Sequence, residues 1–260
     1  MAAAMIKGLI ANGFESARII AIEPSVEARA RLSQEFSIQC VSDPIDDLSW
    51  QDSSLLVWAV KPQQMKAACD SIAHLCTNAL HLSVAAGIPT SSIAKWLGTE
   101  RIVRAMPNTP ALIGLGQTGL FARPGVTFEE RNQIEQIIKG TGRSIWLNDE
   151  TLLDGVTAIS GSGPAYVFYF LEALSEAGVE LGLKPEDAKQ LAIGTFIGAS
   201  QLAQQSADSL LTLRERVTSK GGTTEAALTH MLNIDLGSKF KDAVKIAHKK
   251  AIQLGVNYGN

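Results

Sequence analysis

Leu55-Leu-Val-Trp-Ala-Val60 decides the fold of this chain, together with a second apolar run over Ala79–Val84. The first run is continuously apolar, the second is apolar apart from His81 and Ser83, and a helical run from Pro62 to Leu75 separates them. Strands that are apolar on both sides belong to parallel sheets covered by helices on both faces. The pair therefore predicts a strand–helix–strand unit of the doubly wound α/β type.

The same alternation of strands and helices extends on both sides of this unit. The predicted strands are Ala17–Ile22, Ser37–Val41, Leu55–Val60, Ala79–Val84, Ile102–Met106 and Ser144–Leu147. The helices predicted around them are Ala2–Ala11, Val26–Phe36, Pro62–Leu75, Ile93–Leu97 and Phe128–Gly140. We therefore predict a Rossmann-type dinucleotide-binding domain over residues 1–148.

The period of the apolar residues changes after Asn148, and no further strand is predicted. The remaining segments read as helices at Asp149–Val156, Pro164–Leu181, Pro185–Gln205, Ser209–Val217, Thr223–Leu232 and Leu236–Leu254. Small residues over Ile193–Ser200 suit close contact between helices. We predict an all-α domain over residues 149–260, with the domain boundary at Asn148–Asp149.

Composition narrows the class of protein. The 260 residues carry 23 basic and 26 acidic side chains, a net charge of −3, with no basic stripe for nucleic acid. The most apolar helical run, Pro164–Leu181, carries Glu172, Glu176 and Glu180, which argues against a membrane span. Three cysteines, no signal peptide and no metal-ligand spacing predict a cytoplasmic protein without a metal.

A glycine-rich loop stands out in the helical half, at Val217-Thr-Ser-Lys-Gly-Gly-Thr-Thr-Glu-Ala-Ala-Leu228. A glycine pair ahead of a helix exposes backbone N–H groups at the positive end of the helix dipole, which suits a small carboxylate. The alternative interpretation is an ordinary helix start, with Thr223 or Ser219 as the N-cap. The loop alone leaves both interpretations open.

Five segments, in this order, closely resemble motifs of the Δ1-pyrroline-5-carboxylate reductase family. They are Val60-Lys-Pro-Gln63, Ser83-Val-Ala-Ala-Gly-Ile88, Arg104-Ala-Met-Pro-Asn-Thr-Pro-Ala111, Ser160-Gly-Ser-Gly-Pro-Ala-Tyr-Val-Phe-Tyr-Phe-Leu-Glu-Ala-Leu174 and the glycine-rich loop. The resemblance extends from Met1 to about Ala251. It implies reduction of a cyclic imine carboxylate to proline with NADPH or NADH, by a homodimer that can assemble further.

The resemblance also implies roles for individual residues. Thr224 would hydrogen-bond the ring nitrogen of the substrate and is the expected catalytic residue. The residues expected to bind substrate are Ser219, Gly221, Gly222, Thr223 and Thr224. Those expected to bind the cofactor are Glu23, Val60, Lys61, Pro62, Ala85, Ala86, Gly87, Met106, Pro107 and Asn108. A solvated lysine at the strand end and a simple turn residue remain the alternatives for Lys61 and Asn108.

The strand and the G-x-G-x-x-G loop that open a dinucleotide fold do not precede Met1-Ala-Ala-Ala. We therefore expect this sequence to be an incomplete reading of a longer protein and to bind dinucleotide poorly as it stands. Glu23 nevertheless follows its predicted strand where a ribose-binding carboxylate belongs. Because a carboxylate repels a 2′-phosphate, Glu23 favours NADH slightly over NADPH.

Two other functions are compatible with parts of the sequence. A β-hydroxyacid dehydrogenase shares this architecture, but it needs a lysine on the long interdomain helix, and Ser144–Leu183 contains no lysine or arginine. A non-catalytic dimeric scaffold that has lost its cofactor loop is the third hypothesis. One departure from the resembled family concerns Lys220, where that family usually has proline.

Overall fold

The computed structural model describes residues 1–45, 47–76 and 78–258 and divides the chain into two compact units. The first unit is Met1–Ser162 together with the chain from Ala247 onward, and the second is Gly163–Ile246. The predicted division at Asn148–Asp149 concerns the cofactor and dimerisation domains. This boundary stays a prediction, because the division into compact units does not show which residues bind cofactor or form the dimer.

The first unit alternates strands and helices as predicted. Its strands are β1 (Ile20–Ile22), β2 (Gln39–Val41), β3 (Leu55–Trp58), β4 (Leu80–Ser83), β5 (Ile102–Met106), β6 (Gly116–Ala122) and β7 (Gly142–Trp146). Its helices are α1 (Ala2–Ala11), α2 (Val26–Phe36), α3 (Pro62–Ile72), α4 (Thr90–Leu97), α5 (Phe128–Lys139) and α6 (Leu152–Val156). Local caps fix several ends: Ser25 accepts from the Ala28 N–H at the start of α2, and Thr127 and Glu130 form a capping box on α5.

Two sheets form in the described part of this unit. β1 and β2 make a parallel pair, and the other sheet has the order β3-β4-β5-β6-β7. Neighbouring strands run parallel except at β5 and β6, which are antiparallel. The predicted strand pattern omitted β6, and the parallel sheet that we predicted contains this one antiparallel pair.

The larger sheet has an apolar core on each face. One cluster of buried side chains includes Met5, Leu82, Val103, Leu120 and Ile134. The other includes Trp58, Met65, Ile88, Ile93 and Ile102. Burial on both faces is what the continuous apolar strands predicted, and it confirms the doubly wound architecture.

The second unit is helical. α7 (Gly163–Glu180) packs along α8 (Pro185–Gln205), and α9 (Leu210–Arg216), α10 (Thr223–Asn233) and α11 (Leu236–Tyr258) follow, with the end of α11 lying in the first unit. α7 and α8 approach closely where Gly178 faces Ala188. A Cβ at Gly194 or Gly198, which lie in the stretch predicted to allow close helix contact, would meet no atom within 4 Å outside its own helix among the described residues.

None of the helices in the described ranges is long and apolar enough to cross a membrane.

Candidate active site

Three segments expected to bind the cofactor lie at one edge of the larger sheet. β3, β4 and β5 are parallel neighbours, so their carboxyl ends meet at the same edge. Val60–Pro62, Ala85–Gly87 and Met106–Asn108 follow or end these three strands in turn. In doubly wound sheets, nucleotides bind in the crevice outside the carboxyl ends of the strands. The arrangement therefore fits a dinucleotide along this edge.

The loop Ala85–Gly87 is held in a fixed backbone conformation. Gly87 has φ of +79°, which a glycine adopts without strain. A Cβ at Gly87 would lie 3.1 Å from the Gly255 nitrogen, so the backbone of α11 passes directly beside the loop. At the start of the loop, the Ala85 N–H donates to the Ser83 hydroxyl at 3.3 Å. The loop therefore presents small side chains on a backbone that is supported by α11 and by Ser83.

Asn108 is buried, and its side-chain amide is engaged inside the protein. Its Nδ2 donates to the Ser160 carbonyl at 3.0 Å, and its Oδ1 accepts from the Gln117 N–H at 2.9 Å. Ser160 lies in a single π-helical turn over Thr157–Gly161, a kind of turn that often marks functional sites. The family resemblance implies that Asn108 binds the cofactor, and the structure adds that its amide fastens this turn to the neighbouring strand.

Met106 and Lys61 lie at the same sheet edge, but Met106 packs against Gly161 whereas Lys61 is exposed. The methyl group of Met106 would be 2.7 Å from a Cβ at position 161, so glycine there admits the methionine. Lys61 is the exposed N-cap of α3, without a side-chain capping bond, and Pro62 occupies the first helical turn. Both interpretations of Lys61, cofactor contact and solvated lysine, remain compatible with this position.

Glu23 follows β1 and is half-buried. Its carboxylate accepts from the Ser25 N–H at 2.9 Å, which leaves its second oxygen for a ligand. Arg29 donates to the carbonyls of Glu23 and Pro24, at 2.7 and 2.8 Å. Arg29, on α2, thus supports the backbone of the turn.

The glycine-rich loop, as defined by Val217–Leu228, enters α10 immediately after Gly222, which is the N-cap of that helix. Gly221 has φ of +71°, and its N–H donates to the Glu225 carboxylate at 2.6 Å. The Gly222 N–H, which we expected to hold the substrate carboxylate, donates to the Ser219 carbonyl at 3.0 Å instead. The N–H groups of Thr223 and Thr224 lie in the first turn of α10, where an α-helix has no acceptor of its own for them.

A buried ionic cluster in the first unit was not anticipated as part of a site. Arg104 is 5% exposed on β5, and its Nη1 lies 3.0 Å from the Glu150 carboxylate. The carboxylate of Asp154 lies 4.0 Å from Arg104 Nη2, and burial raises the pKa of Asp154 while the Arg104 charge opposes that shift. An arginine inside an apolar strand signals a buried partner, but nothing in the sequence points to residues 46 and 50 positions further along.

No cluster of three or more histidine, cysteine, aspartate or glutamate side chains is placed to hold a metal ion in the described residues.

Comparison with known proteins agrees with this architecture. The family model described as "Pyrroline-5-carboxylate reductase dimerisation" matches residues 150–254, and "NADP oxidoreductase coenzyme F420-dependent" matches residues 1–87. A pyrroline-5-carboxylate reductase of Pseudomonas aeruginosa is 41% identical over 261 residues, covering 100% of this chain and 95% of that protein.

Solved structures give the same result. A pyrroline-5-carboxylate reductase from Coxiella burnetii superposes with a TM-score of 0.90 at 36% identity, covering 97% of this chain and 94% of the other. The pyrroline carboxylate reductase of Plasmodium falciparum, solved with NADP bound, has a TM-score of 0.86 at 26% identity, covering 97% and 93%.

The fold and these matches define an oxidoreductase with a Rossmann-type nucleotide-binding domain and a helical dimerisation domain. The chain belongs to the pyrroline-5-carboxylate reductase family. Membership favours this activity over the β-hydroxyacid dehydrogenase and the non-catalytic scaffold that the sequence alone left open.

Proposed function

We propose that the residues described above carry out the reaction of the family in this chain. The reaction is the reduction of 1-pyrroline-5-carboxylate to L-proline by a reduced pyridine nucleotide, in a homodimer. The observation that supports the assignment of residues is the meeting of three cofactor segments at the carboxyl ends of β3, β4 and β5. When bound, the cofactor supplies the hydride. The residues of the protein would contribute substrate binding, orientation of the two reactants and complementary charge.

Val60, Lys61 and Pro62 would line the adenosine side of the cofactor, and Ala85, Ala86 and Gly87 would lie against the nicotinamide ribose. Met106 and Pro107 would contact the nicotinamide, and Asn108 would hold the backbone around it through its two internal hydrogen bonds. The small side chains of the Ala85–Gly87 loop would let a flat ring approach the backbone. These contacts orient the ring and exclude water from its face.

Residues of the glycine-rich loop would bind the substrate. The N–H groups of Thr223 and Thr224 and the hydroxyl of Ser219 would hold the carboxylate at the positive end of α10. The Thr224 hydroxyl would hydrogen-bond the ring nitrogen. A protonated imine is already a strong electrophile, so the step requires positioning rather than a dedicated acid. Gly221, with its positive φ, and Gly222 would shape the loop.

The finer features of the enzyme belong to the same proposal. Residues 1–148 would bind the cofactor, and residues 149–260 would bind substrate and form the dimer. Assembly of dimers into larger particles, a cytoplasmic location, and the absence of nucleic-acid or membrane partners are proposed from composition and family resemblance. Both NADH and NADPH are proposed as cofactors, with Glu23 setting the preference.

Thr224 gives the sharpest test of the substrate site. Replacing Thr224 with valine removes the hydroxyl at nearly constant shape and should lower kcat/KM for the imine about 5- to 150-fold, the equivalent of about 1–3 kcal/mol for an unmade hydrogen bond. Thr224→Ser keeps the hydroxyl and should retain most of the activity. Steady-state kinetics and cofactor titration by nicotinamide fluorescence measure the two effects.

The affinity for the cofactor should not change in either Thr224 variant. Thr229→Ala, further along α10, is the matched control and should leave both parameters as in the original protein. A Thr224→Val variant that binds cofactor weakly but reduces the imine normally would contradict the assignment.

A further inference from the structure

Glu150 joins three segments of the first unit at a single carboxylate. Its Oε1 accepts from the Thr90 N–H at 2.7 Å and from Arg104 at 3.0 Å, and its Oε2 accepts from the Thr90 hydroxyl at 2.6 Å. Thr90 is fully buried, and only 6% of the Arg104 side chain and 19% of the Glu150 side chain are exposed. Hydrogen bonds of this number and burial, with one partner charged, are strong.

Each partner of Glu150 is attached to a proposed cofactor segment. Thr90 is the first residue of α4, three positions after Gly87, so it fixes the end of the Ala85–Gly87 loop. Arg104 lies on β5, two residues before Met106. Glu150 itself precedes α6, which continues directly into the π-helical turn that Asn108 fastens.

The charge of Glu150 also matches the place it occupies. Its carboxylate accepts from the first N–H of α4, where a helix has an unsatisfied donor and a partial positive charge. Glu150 acts as the acceptor in all three of its hydrogen bonds. A glutamine of the same shape could turn its NH₂ group toward the Thr90 hydroxyl, which can also accept, but it would remove the negative charge that Arg104 and the start of α4 face.

We propose that Glu150, acting through Thr90 and Arg104, is a positioning residue that holds the Ala85–Gly87 loop and the end of β5 in register for the cofactor. The inference rests on the proposed function, because it assumes that these two segments contact the nicotinamide half of the cofactor. Glu150 does not touch the reacting atoms. Its effect is to keep the cofactor surface formed before the cofactor arrives.

A matched control exists in the same unit. Glu130 also accepts from one arginine, Arg101, and from the N–H of Thr127 at the start of a helix, α5. It therefore has nearly the same set of bonds as Glu150, but none of its partners carries a proposed cofactor contact. Glu130→Gln reports the purely structural cost of losing such a carboxylate.

The experiment compares Glu150→Gln with Glu130→Gln in the full chain. Glu150→Gln should raise the Kd for reduced cofactor about tenfold, because the hydrogen bonds from Arg104 and the Thr90 N–H lose their charged acceptor, while the KM for the imine stays near its original value. Hydrogen exchange of the cofactor-free protein should show faster exchange at the Thr90 amide and through residues 85–90. Glu130→Gln should lower the melting temperature without either effect.

Variants of Thr90 keep the test decisive if Glu150→Gln folds poorly. Thr90→Ser retains the hydroxyl donor and should bind cofactor almost normally, whereas Thr90→Val loses it and should weaken binding. Equal cofactor Kd values for Glu150→Gln and Glu130→Gln, or for Thr90→Ser and Thr90→Val, would overturn the inference.

Ala86→Leu separates this inference from the proposed function. A bulky side chain in the loop should block the cofactor if the loop contacts it. Should Ala86→Leu bind cofactor normally, the proposed cofactor placement is wrong. Should Ala86→Leu fail to bind while Glu150→Gln binds normally, the placement stands and only the role of Glu150 is refuted.

Discussion

Glu23 illustrates how a single side chain can shape its own turn and still have an oxygen left for the ligand proposed there. One carboxylate oxygen accepts from the Ser25 N–H, and the turn is further supported by Arg29. In the role proposed for Glu23, the other oxygen would accept from a ribose hydroxyl, and its charge would repel a 2′-phosphate. The sequence predicted the position of Glu23 from its place after a strand, but it could not predict the bond to Ser25, which depends on the turn.

Glu23→Ser should therefore shift the cofactor preference toward NADPH. Removing one like charge near the phosphate should raise the ratio of kcat/KM for NADPH to that for NADH about three- to tenfold. Glu27→Ser, an exposed acid on α2, is the control for a general change in surface charge. A protein that already prefers NADPH strongly before the substitution would refute the role proposed for Glu23.

The buried side chain of His81 makes the folding stability of the protein depend on pH. It is fully buried on β4, and its Nδ1 accepts from Trp58 Nε1 at 3.1 Å. Burial, reinforced by the charge of Arg101, lowers the pKa of His81 to about 4. Since the unfolded chain binds a proton near pH 6.5, folding is favoured fully above that pH, and the stabilisation is lost as the pH falls toward 4.

Replacing His81 with asparagine keeps an acceptor for Trp58 but removes the titrating group. Between pH 7.5 and 5, the original protein should lose about 1–2 kcal/mol more of its unfolding free energy than His81→Asn does. Urea denaturation at the two pH values measures how much unfolding free energy each protein loses, which is the slope of its stability against pH. Identical slopes would contradict a lowered pKa for His81.

At the scale of elements, most helices and strands were predictable because their apolar periods and caps agree. The strand predictions were too long at β1, where Ser16–Arg18 forms a 3₁₀ turn instead of extending the strand. β6 was missed because its sequence contains two glycines and has no clear period. Gly116 is needed there, since a Cβ would lie 2.7 Å from the Thr141 carbonyl, a contact invisible in the sequence.

Helix α1 depends on a contact between two glycines. A Cβ at Gly8 would lie 2.7 Å from the backbone of Gly140, at the end of α5, so the two helices meet with no side chain between them. Gly8→Ala should lower the unfolding free energy by about 1–3 kcal/mol through overpacking. Chemical denaturation measures the change.

Gly155 provides the control for this substitution, because no atom lies within 4 Å of a Cβ there in the described structure. Gly155→Ala should be neutral or slightly stabilising, since alanine favours a helix more than glycine does. Equal losses in the two variants would show that the contact between α1 and α5 contributes nothing.

At the scale of the whole molecule, the fold class and the family were predictable, because five motifs and the alternation of elements carry them. The cofactor and substrate residues remain predictions, supported for the cofactor by the positions of three strand ends. The Arg104–Glu150 cluster could not be predicted, because ionic partners far apart in sequence meet only once the sheet has formed.

The helical region leaves large apolar side chains uncovered in a single chain. Phe168 on α7 is 65% exposed and Ile197 on α8 is 53% exposed, within the region that matches the dimerisation family model. Phe168→Ser should raise the dimer Kd about tenfold or more, as expected for an aromatic interface residue. Analytical ultracentrifugation over a concentration series measures this change.

Val26→Ser is the control for the dimer experiment, because Val26 is 73% exposed but lies on α2, in the other unit. Its dimer Kd should stay unchanged. A Phe168→Ser protein that dimerises as tightly as Val26→Ser would place the interface elsewhere on the chain.

The path of α11 has a consequence for how the protein is made. Its last turns lie in the first unit, where Gly255 abuts Gly87, Ala251 is buried and Tyr258 packs against an apolar cluster. A ribosome synthesises these turns only after the whole second unit. The nucleotide-binding half, although translated first, therefore acquires its final packing last, and a nascent chain stalled before Ala247 would carry this half unfinished.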